Sequence, residues 1–577
     1  MIVERAFASS VGDDAIDRLA ERAWERGEFD LARRFWTQLI PIGVAAANEP
    51  PPAILRYPDT DLDLAAIRAR LILCDIALGE ETRAGQELDA LEKLHPDAVG
   101  HLAGRDGRLR DILQETLANV VSSGQESRDG WSVLPGLTGT GTVGATSDRA
   151  GVVPFEAPLG AAAWFRELPP SDFATSVGRP ALPALGPLCY YPVVWRDKVF
   201  VADATRVFGF ELEDGRSAWS VGDEDAGVVY PPAVDFDGFG NARPFDAAAL
   251  AGVPRHSLTV HRDHLYARLG PPPTSWPARE LRRAESTIVC LDLNREGLPT
   301  WSMTADSLGT GDEWWSFEGP PVGEGDRLCV LAIRSRPQSR LHALCLDAAT
   351  GNVVWNRPIG SPLASPPEGL AVMTHHLATL AAGRLYVQTN SGAIACLDAA
   401  DGRPVWAAWY ESRPPKEGPA ANAPDRNLPA ACLFARGVLI AAPSDSDRVF
   451  AYDAASGVEL WQQVVRGGGR QLLGAKDGVL VVSGERLTGL DLFSGGELWR
   501  VGFEDPPGYG VGRGLLAGRF AYWPTREELL MVDIASGTPV RRFPLKKMYG
   551  LAGGGNLAAS QSRLLLARPD GLIAFGE

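Results

Sequence analysis

Ala343-Leu-Cys-Leu-Asp347-Ala-Ala-Thr-Gly351-Asn-Val-Val-Trp355 joins an apolar run, an acidic residue, a glycine four positions later and a tryptophan four positions beyond that. The apolar run has the continuity of a buried strand. Asp347 and Gly351 bracket a tight turn in which glycine supplies backbone freedom, and the valines that follow start a returning strand. The same spacing recurs as Glu211/Gly215/Trp219, Asp398/Gly402/Trp406, Asp453/Gly457/Trp461 and Asp491/Gly495/Trp499. Asp292/Gly297/Trp301 carries one extra residue in the turn, and Asp533/Gly537 is followed by Arg541 where tryptophan is expected. A repeated tryptophan of this kind buries a large area, so each is read as structural glue docking on the neighbouring unit.

An independent count comes from hairpins, each an apolar run, a short polar turn and a second apolar run. They centre near Arg196-Asp197, Arg262-Asp263, Gly325-Asp326, Ala382-Gly383, Ala435-Arg436, Lys476-Asp477, Ala517-Gly518 and Gln561-Ser562, which makes eight. Hairpin plus turn motif predicts a mainly β fold over residues 159–577, an eight-bladed β-propeller of four-stranded antiparallel blades. After the eighth hairpin comes Gly571-Leu-Ile-Ala-Phe575, and then the sequence stops at Glu577, one strand short. The segment 161–168, with Trp164, has outer-strand character and is expected to supply that strand, closing the ring and removing an open sheet edge.

Residues 1–120 read as a small α-helical repeat module. Leu19, Ala23, Trp24, Gly27, Phe29, Ala32, Trp36 and Leu39 follow helical spacing broken by a glycine turn, and Leu71, Ile76, Gly79, Ala84, Leu88, Leu91 and Pro96 repeat the pattern. A further helix is expected near 108–119. Residues 121–158, rich in Ser, Gly and Thr, read as a lead-in; the run from Gly136 to Gly144 lacks the Lys-Ser/Thr of a phosphate-binding loop. The paired small residues, Gly27 with Ala32 and Gly79 with Ala84, resemble the tetratricopeptide repeat, although Glu81 stands where Phe29 stands in the first copy.

Composition narrows the function. A net charge of −16 argues against a nucleic-acid partner, which needs a clustered basic surface. The one basic run, Arg541, Arg542, Lys546 and Lys547, reads as a charged strand edge. No stretch reaches the roughly 18 apolar residues of a transmembrane helix. Met1 to Ser10 has no signal-peptide pattern, which points to a cytoplasmic protein or to a start codon placed too late. The seven cysteines form no CxxC, and Cys290, Cys345 and Cys396, each two residues before a repeated Asp, read as small buried apolar groups. Asp235-Phe-Asp237-Gly238 lacks the remaining ligands of a calcium loop. His261 and His264 flank a hairpin turn and read as turn residues; Asp312-Glu313 beside Trp314-Trp315 reads as packing between blades. No catalytic, cofactor-binding or metal-ligating residue is nominated.

The copies at Asp347 and Asp453, the latter Val-Phe-Ala-Tyr-Asp453-Ala-Ala-Ser-Gly457-Val-Glu-Leu-Trp461, look like the repeat of the pyrroloquinoline-quinone (PQQ) enzymes. Gly130-Trp131 and Arg149-Ala-Gly151 resemble the lead-in of such propellers. The resemblance implies one of two branches. One holds dehydrogenases that bind PQQ with calcium; the other holds non-enzymatic BamB-like propellers. The chain lacks the vicinal cysteine pair that typifies the dehydrogenases and lacks CxxCH for a haem. The expectation is therefore a BamB-like, non-catalytic scaffold with no cofactor and with a protein or peptide as partner. A PQQ- or metal-dependent oxidoreductase and a ligand-sensing propeller are the alternatives. The same resemblance implies an extracytoplasmic home.

Overall fold

The computed structural model describes residues 12–25, 29–40, 60–77, 81–102, 105–126, 162–169, 188–219, 227–231, 250–251, 254–270, 286–336, 339–360, 371–372, 375–412, 431–465, 471–502, 510–551, 554–560 and 563–576. They form a helical unit and a propeller unit.

In the helical unit α1 (Gly12–Glu25) pairs with α2 (Phe29–Leu39), and α3 (Leu64–Ala77) pairs with α4 (Glu81–Leu94). Helix α3 is the centre. Its Ile67, Leu71 and Cys74 pack on Ile16, Ala20, Ala32 and Trp36, while Ala69, Ile72 and Ile76 pack on Ala84, Leu88 and Leu91. Burial on two sides explains why its apolar residues run almost all the way round. The buried Asp75 carboxylate accepts from Arg33 Nε at 2.7 Å and from Arg83 Nε at 2.8 Å, so α2, α3 and α4 share one ionic tie. The last helix, α5 (Leu109–Glu126), follows a polar hairpin of Val99–Leu102 with Arg105–Arg108. Two sequence expectations change here. The hairpin is too short and polar to announce itself, and the helix runs beyond residue 120, since Ser and Gly weaken a helix without the clash that makes Pro end one.

The propeller has eight blades, over residues 193–230, 258–304, 314–360, 378–409, 433–464, 471–501, 515–543 and 556–575. Ala162–Glu167 pairs antiparallel with Gly571–Phe575 and is the fourth strand of the last blade. Strands follow one another antiparallel within each sheet, and apolar clusters lie between neighbouring blades, including blades 8 and 1. The first strands, such as Val438–Ala441's partner Leu433–Ala435, are buried; the fourth, such as Pro404–Trp409, alternate with solvent. Blade 3 departs from the pattern. Trp314–Phe317 and Val322–Glu324 both pair with Arg327–Arg336, because Pro320 and Pro321 between them cannot donate to the ladder.

Antiparallel order sorts the connections onto two faces. The turns after the first and third strands lie on one, here the turn face. Entries to the first strands, connections between second and third strands, and exits from the fourth all lie on the other, the loop face.

Candidate functional site

The acidic, glycine and tryptophan residues of the repeat sit on the turn face and work in pairs of blades. Asp347 O accepts from Gly351 N at 2.9 Å, and the Asp347 carboxylate accepts from the N and Oγ1 of Thr350 at 3.0 and 2.8 Å. Gly351 has φ +72°, and a Cβ there would stand 2.6 Å from the Trp301 ring of the preceding blade. Glycine thus serves both the turn and the close approach of the indole. The Trp301 indole donates to Ala348 O at 3.1 Å, the position just after the acidic residue. Trp355, Trp406, Trp461 and Trp499 donate in the same way to Ala399, Ala454, Leu492 and Ile534. Their rings lie over Gly402, Gly457, Gly495 and Gly537. Asp398, Asp453, Asp491 and Asp533 hold those turns as Asp347 does.

Trp219 differs. The fourth strand of blade 1 is Val228–Tyr230, beyond an excursion of the chain, and Val229 takes the place over Gly297. Trp219 packs on Trp195 and Phe200 of its own blade, and only the edge of its ring reaches Gly297, 3.5 Å from where a Cβ would stand, while Asp292 still caps the blade 2 turn through Asn294 N at 3.0 Å. In blade 7 Arg541 stands at the position of the repeated tryptophan, paired with Met531, and no acidic turn follows Gly571–Phe575 among the described residues. At the junction of blades 8 and 1, Trp164 Nε1 donates to Leu212 O at 2.9 Å, just after Glu211, and its ring covers Gly215. Arg563, which the sequence gave no reason to single out, adds Nε to Leu212 O at 3.2 Å and Nη2 to Glu213 O at 3.1 Å.

Other sequence candidates resolve into packing. Arg262 and Asp263 both have positive φ, as a two-residue hairpin turn demands; His261 Nε2 contacts Gly325 O at 2.8 Å and His264 Nδ1 contacts its neighbour Arg262 O at 2.9 Å. Trp315 is buried between blades 2 and 3, and Glu313 pairs with Arg334 at 3.1 Å. All seven cysteines are buried free thiols. Arg542 and Lys546 pair with Glu528 and Glu527 at 3.5 and 2.7 Å. Asp235, Asp237, Gly238, Gly130 and Trp131 lie outside the described residues, as do most of the long connections around blade 2.

The loop face is where polar chemistry gathers. Apart from the excursion before Val228, the long connections leave from this face, and two of them join as Leu250–Ala251 pairs in parallel with Ala371–Val372. Polar residues precede the first strands around the propeller axis. On the side of blades 2 to 5, buried Arg268 donates to Phe317 O at 3.0 Å, and buried Glu318 accepts from His376 N at 3.0 Å with His376 Nδ1 at 3.3 Å. Burial opposes protonation of His376, but Glu318 and Thr389 O raise its pKa on balance. Asp445 accepts from Tyr410 OH at 2.7 Å and from Gly392 N at 3.1 Å, and burial raises its pKa.

On the side of blades 7, 8, 1 and 2 the entries are stitched together. Leu557 N donates to Arg513 O at 2.9 Å, Arg513 N to Asn556 Oδ1 at 2.8 Å, Asn556 Nδ2 to Tyr190 O at 2.7 Å, and His256 N to Cys189 O at 3.0 Å. His256 is buried, with its pKa pushed down to about 4 by burial, Asp203 opposing the shift and Arg268 adding to it. Its depressed pKa means that the unfolded chain takes up a proton first, so stability falls as pH drops from 6.5 toward about 4. At 1.36 kcal/mol per unit the penalty approaches about 3 kcal/mol. His256→Gln is expected to flatten the dependence of the urea midpoint on pH over that window, while wild type loses stability steadily.

A family model described as outer membrane protein assembly factor BamB matches residues 284–421, 342–473 and 425–570. The match and the eight-bladed ring together support a PQQ-like propeller repeat in this chain. No match was found among curated proteins. Solved structures similar to this PQQ-like propeller include BamB from Moraxella catarrhalis, 15% identical with TM-score 0.41, covering 72% of this chain and 100% of that one. Quinohemoprotein alcohol dehydrogenase from Comamonas testosteroni is 13% identical with TM-score 0.45, covering 73% and 76%. The quinohemoprotein alcohol dehydrogenase ADHIIG from Pseudomonas putida is 12% identical with TM-score 0.47, covering 79% and 81%.

Calcium with a quinone requires several oxygen ligands turned toward the cation. In this PQQ-like propeller Glu318 is turned to His376, and Asp445 to Tyr410 and Gly392. No group of three or more His, Cys, Asp or Glu side chains among the described residues is arranged to hold a metal ion. The described residues do not fit that pairing.

Proposed function

We propose that the chain is a non-catalytic binding or assembly scaffold of the BamB-like kind, with the loop face as its partner-binding surface. The observation that carries this reading is the sorting of connections. Rigid strands and tight turns fill one side, and nearly all the length variation leaves from the other, which is where a scaffold carries its contacts. Trp409 adds to it: at the loop-face end of the blade 4 rim strand, it is 79% exposed. Aromatic side chains of this kind anchor protein interfaces. The description of the matching family, an assembly factor, supports the same role. The helix pairs, with Ala32 and Ala84 fully buried at their crossings, resemble tetratricopeptide hairpins and offer a second, peptide-binding surface.

The rival dehydrogenase reading makes a sharp demand. Calorimetric titration with PQQ in the presence of calcium, alongside a dye-linked alcohol oxidation assay, is expected to give neither saturable heat nor alcohol-dependent dye reduction. Turnover would overturn the non-catalytic reading.

A further inference from the structure

Cys329 and Cys345 face each other across the two middle strands of blade 3. Arg327–Arg336 and Arg340–Asp347 pair antiparallel without a register shift, and Cys329 is the partner of Cys345. Both side chains are fully buried in the same seam. Cys329, Leu331, Ala343 and Cys345 pack with Leu380, Leu385 and Val387 of blade 4, while the alternate residues Leu328, Val330, Leu344 and Leu346 pack toward blade 2. The ladder decides which kind of pair this is. Ala348 N donates to Asp326 O at 3.0 Å across the two strands, whereas Asp347 N turns away to Asn352 O at 2.9 Å. Alternation then makes Cys329 and Cys345 a non-hydrogen-bonded pair, in which side chains stand closest. Such pairs hold their Cα atoms about 4.5 Å apart, inside the roughly 4.4–6.8 Å that a disulfide spans.

The other blades show what this position otherwise holds. Opposite the residue two places before the acidic turn stand Phe200 in blade 1, Tyr266 in blade 2, Tyr386 in blade 4 and Tyr522 in blade 7, facing Gly209, Cys290, Cys396 and Met531. In blade 6 Val481 faces Gly489. An aromatic ring is thus the usual filler, and blade 3 alone among the described pairs sets thiol against thiol. The Cys329 thiol donates to Cys345 Sγ, which lowers the pKa of Cys345 against the opposing effect of burial and raises that of Cys329. Cys345 is therefore the thiol disposed to lose its proton, and the thiolate is the form that attacks a disulfide.

We propose that Cys329 and Cys345 are a disulfide-forming pair, oxidised by a low-molecular-weight disulfide of the glutathione type, RSSR, before blade 4 closes over them. The Cys345 thiolate attacks one sulfur of RSSR, forming a Cys345–SR mixed disulfide and releasing RS⁻. Cys329 Sγ then loses its proton and attacks Cys345 Sγ, displacing the second RS⁻. The two protein thiols give up two electrons and two protons; RSSR takes the electrons, and its two thiolates take the protons as RSH. The hairpin joining the two strands is local in sequence, so its pairing presents both thiols on an open face until the seam forms. Docking of blade 4 then encloses the bridge. Cys345 also pairs with Trp355 of the fourth strand, so the bridge stiffens the row that carries the tryptophan docked on Ala399 O. The pair does not depend on the scaffold reading.

The test uses the full chain, synthesised in a cell-free system in a mixed oxidised and reduced glutathione buffer and, separately, in reduced glutathione alone. Free thiols of the soluble product are alkylated in denaturant with one reagent, bridged thiols are then reduced and alkylated with a second, and the peptides are assigned by mass. After synthesis in the mixed buffer, Cys329 and Cys345 are expected to carry the second reagent together, while Cys74, Cys189, Cys290, Cys396 and Cys432 carry the first. Synthesis in reduced glutathione alone should return both to the first reagent. Cys329→Val places there the residue type that blade 6 carries at Val481, and in that variant Cys345 should take the first reagent in either buffer. Cys329 and Cys345 carrying the first reagent in the mixed buffer, the second reagent spread evenly over all seven cysteines, or Cys345 still bridged in Cys329→Val would overturn the proposal.

Discussion

Trp355→Ala is expected to lower stability by about 3–5 kcal/mol, the range for truncating a large buried aromatic side chain. The loss has two parts. The indole fills the space over Gly402 in the next blade, so its removal opens a cavity at the seam between blades 3 and 4. The Ala399 carbonyl also loses its 3.0 Å donor. Neighbouring blades contribute to stability largely through such seams, much as in other repeat proteins. Trp219→Ala provides the control, because Trp219 makes no indole bond to blade 2 and Val229 covers Gly297. Its loss should cost about 1–2 kcal/mol, near the centre of the range for single substitutions. Urea unfolding followed by circular dichroism distinguishes the two. Equal losses would mean that the repeated tryptophan stabilises its own blade rather than the seam.

Trp164→Ala should have an effect as large as Trp355→Ala, about 3–5 kcal/mol, and a different consequence. Trp164 lies on the only strand of blade 8 that comes from the N-terminal side of the propeller, so weakening its dock loosens the closure of the ring. Arg563→Ala should cost about 1.5–3 kcal/mol, the range for hydrogen bonds to charged groups. Both side chains donate to Leu212 O, so the double variant should lose less than the sum of the singles. Release of Ala162–Glu167 exposes the edge of Gly571–Phe575, which invites pairing with other chains. Light scattering during mild heating should therefore rise earlier in the double variant than in Trp355→Ala. An additive loss without early scattering would place the closure elsewhere.

The blade count was legible because all eight blades announce themselves as hairpins, and the first seven do so again as an acidic turn with glycine. The closing strand was legible too, since the final blade visibly lacks a partner for Gly571–Phe575. Trp219 shows the limit of such a pattern. Its spacing equals that of Trp355, but an insertion lets Val229 occupy the seam, and spacing alone carries no sign of which residue wins. The polar residues on the loop face were not legible for another reason. Arg255 and Tyr191 each precede a first strand as ordinary polar residues, and only the circular arrangement of distant entries brings them together. Arg563 is similar: a single arginine beside a hairpin turn gives no hint that it reaches into blade 1.

The most direct test of the loop face as the partner-binding surface is site-specific photo-crosslinking in the native cell. A benzophenone amino acid is placed at Trp409 and Glu411 on the loop face, and at Asn352 and Val458 on the turn face, all exposed positions. The account predicts a protein adduct of the same mass from both loop-face positions and none from the turn face. Adducts from Asn352 or Val458 in equal yield, or none from Trp409 and Glu411, would contradict it.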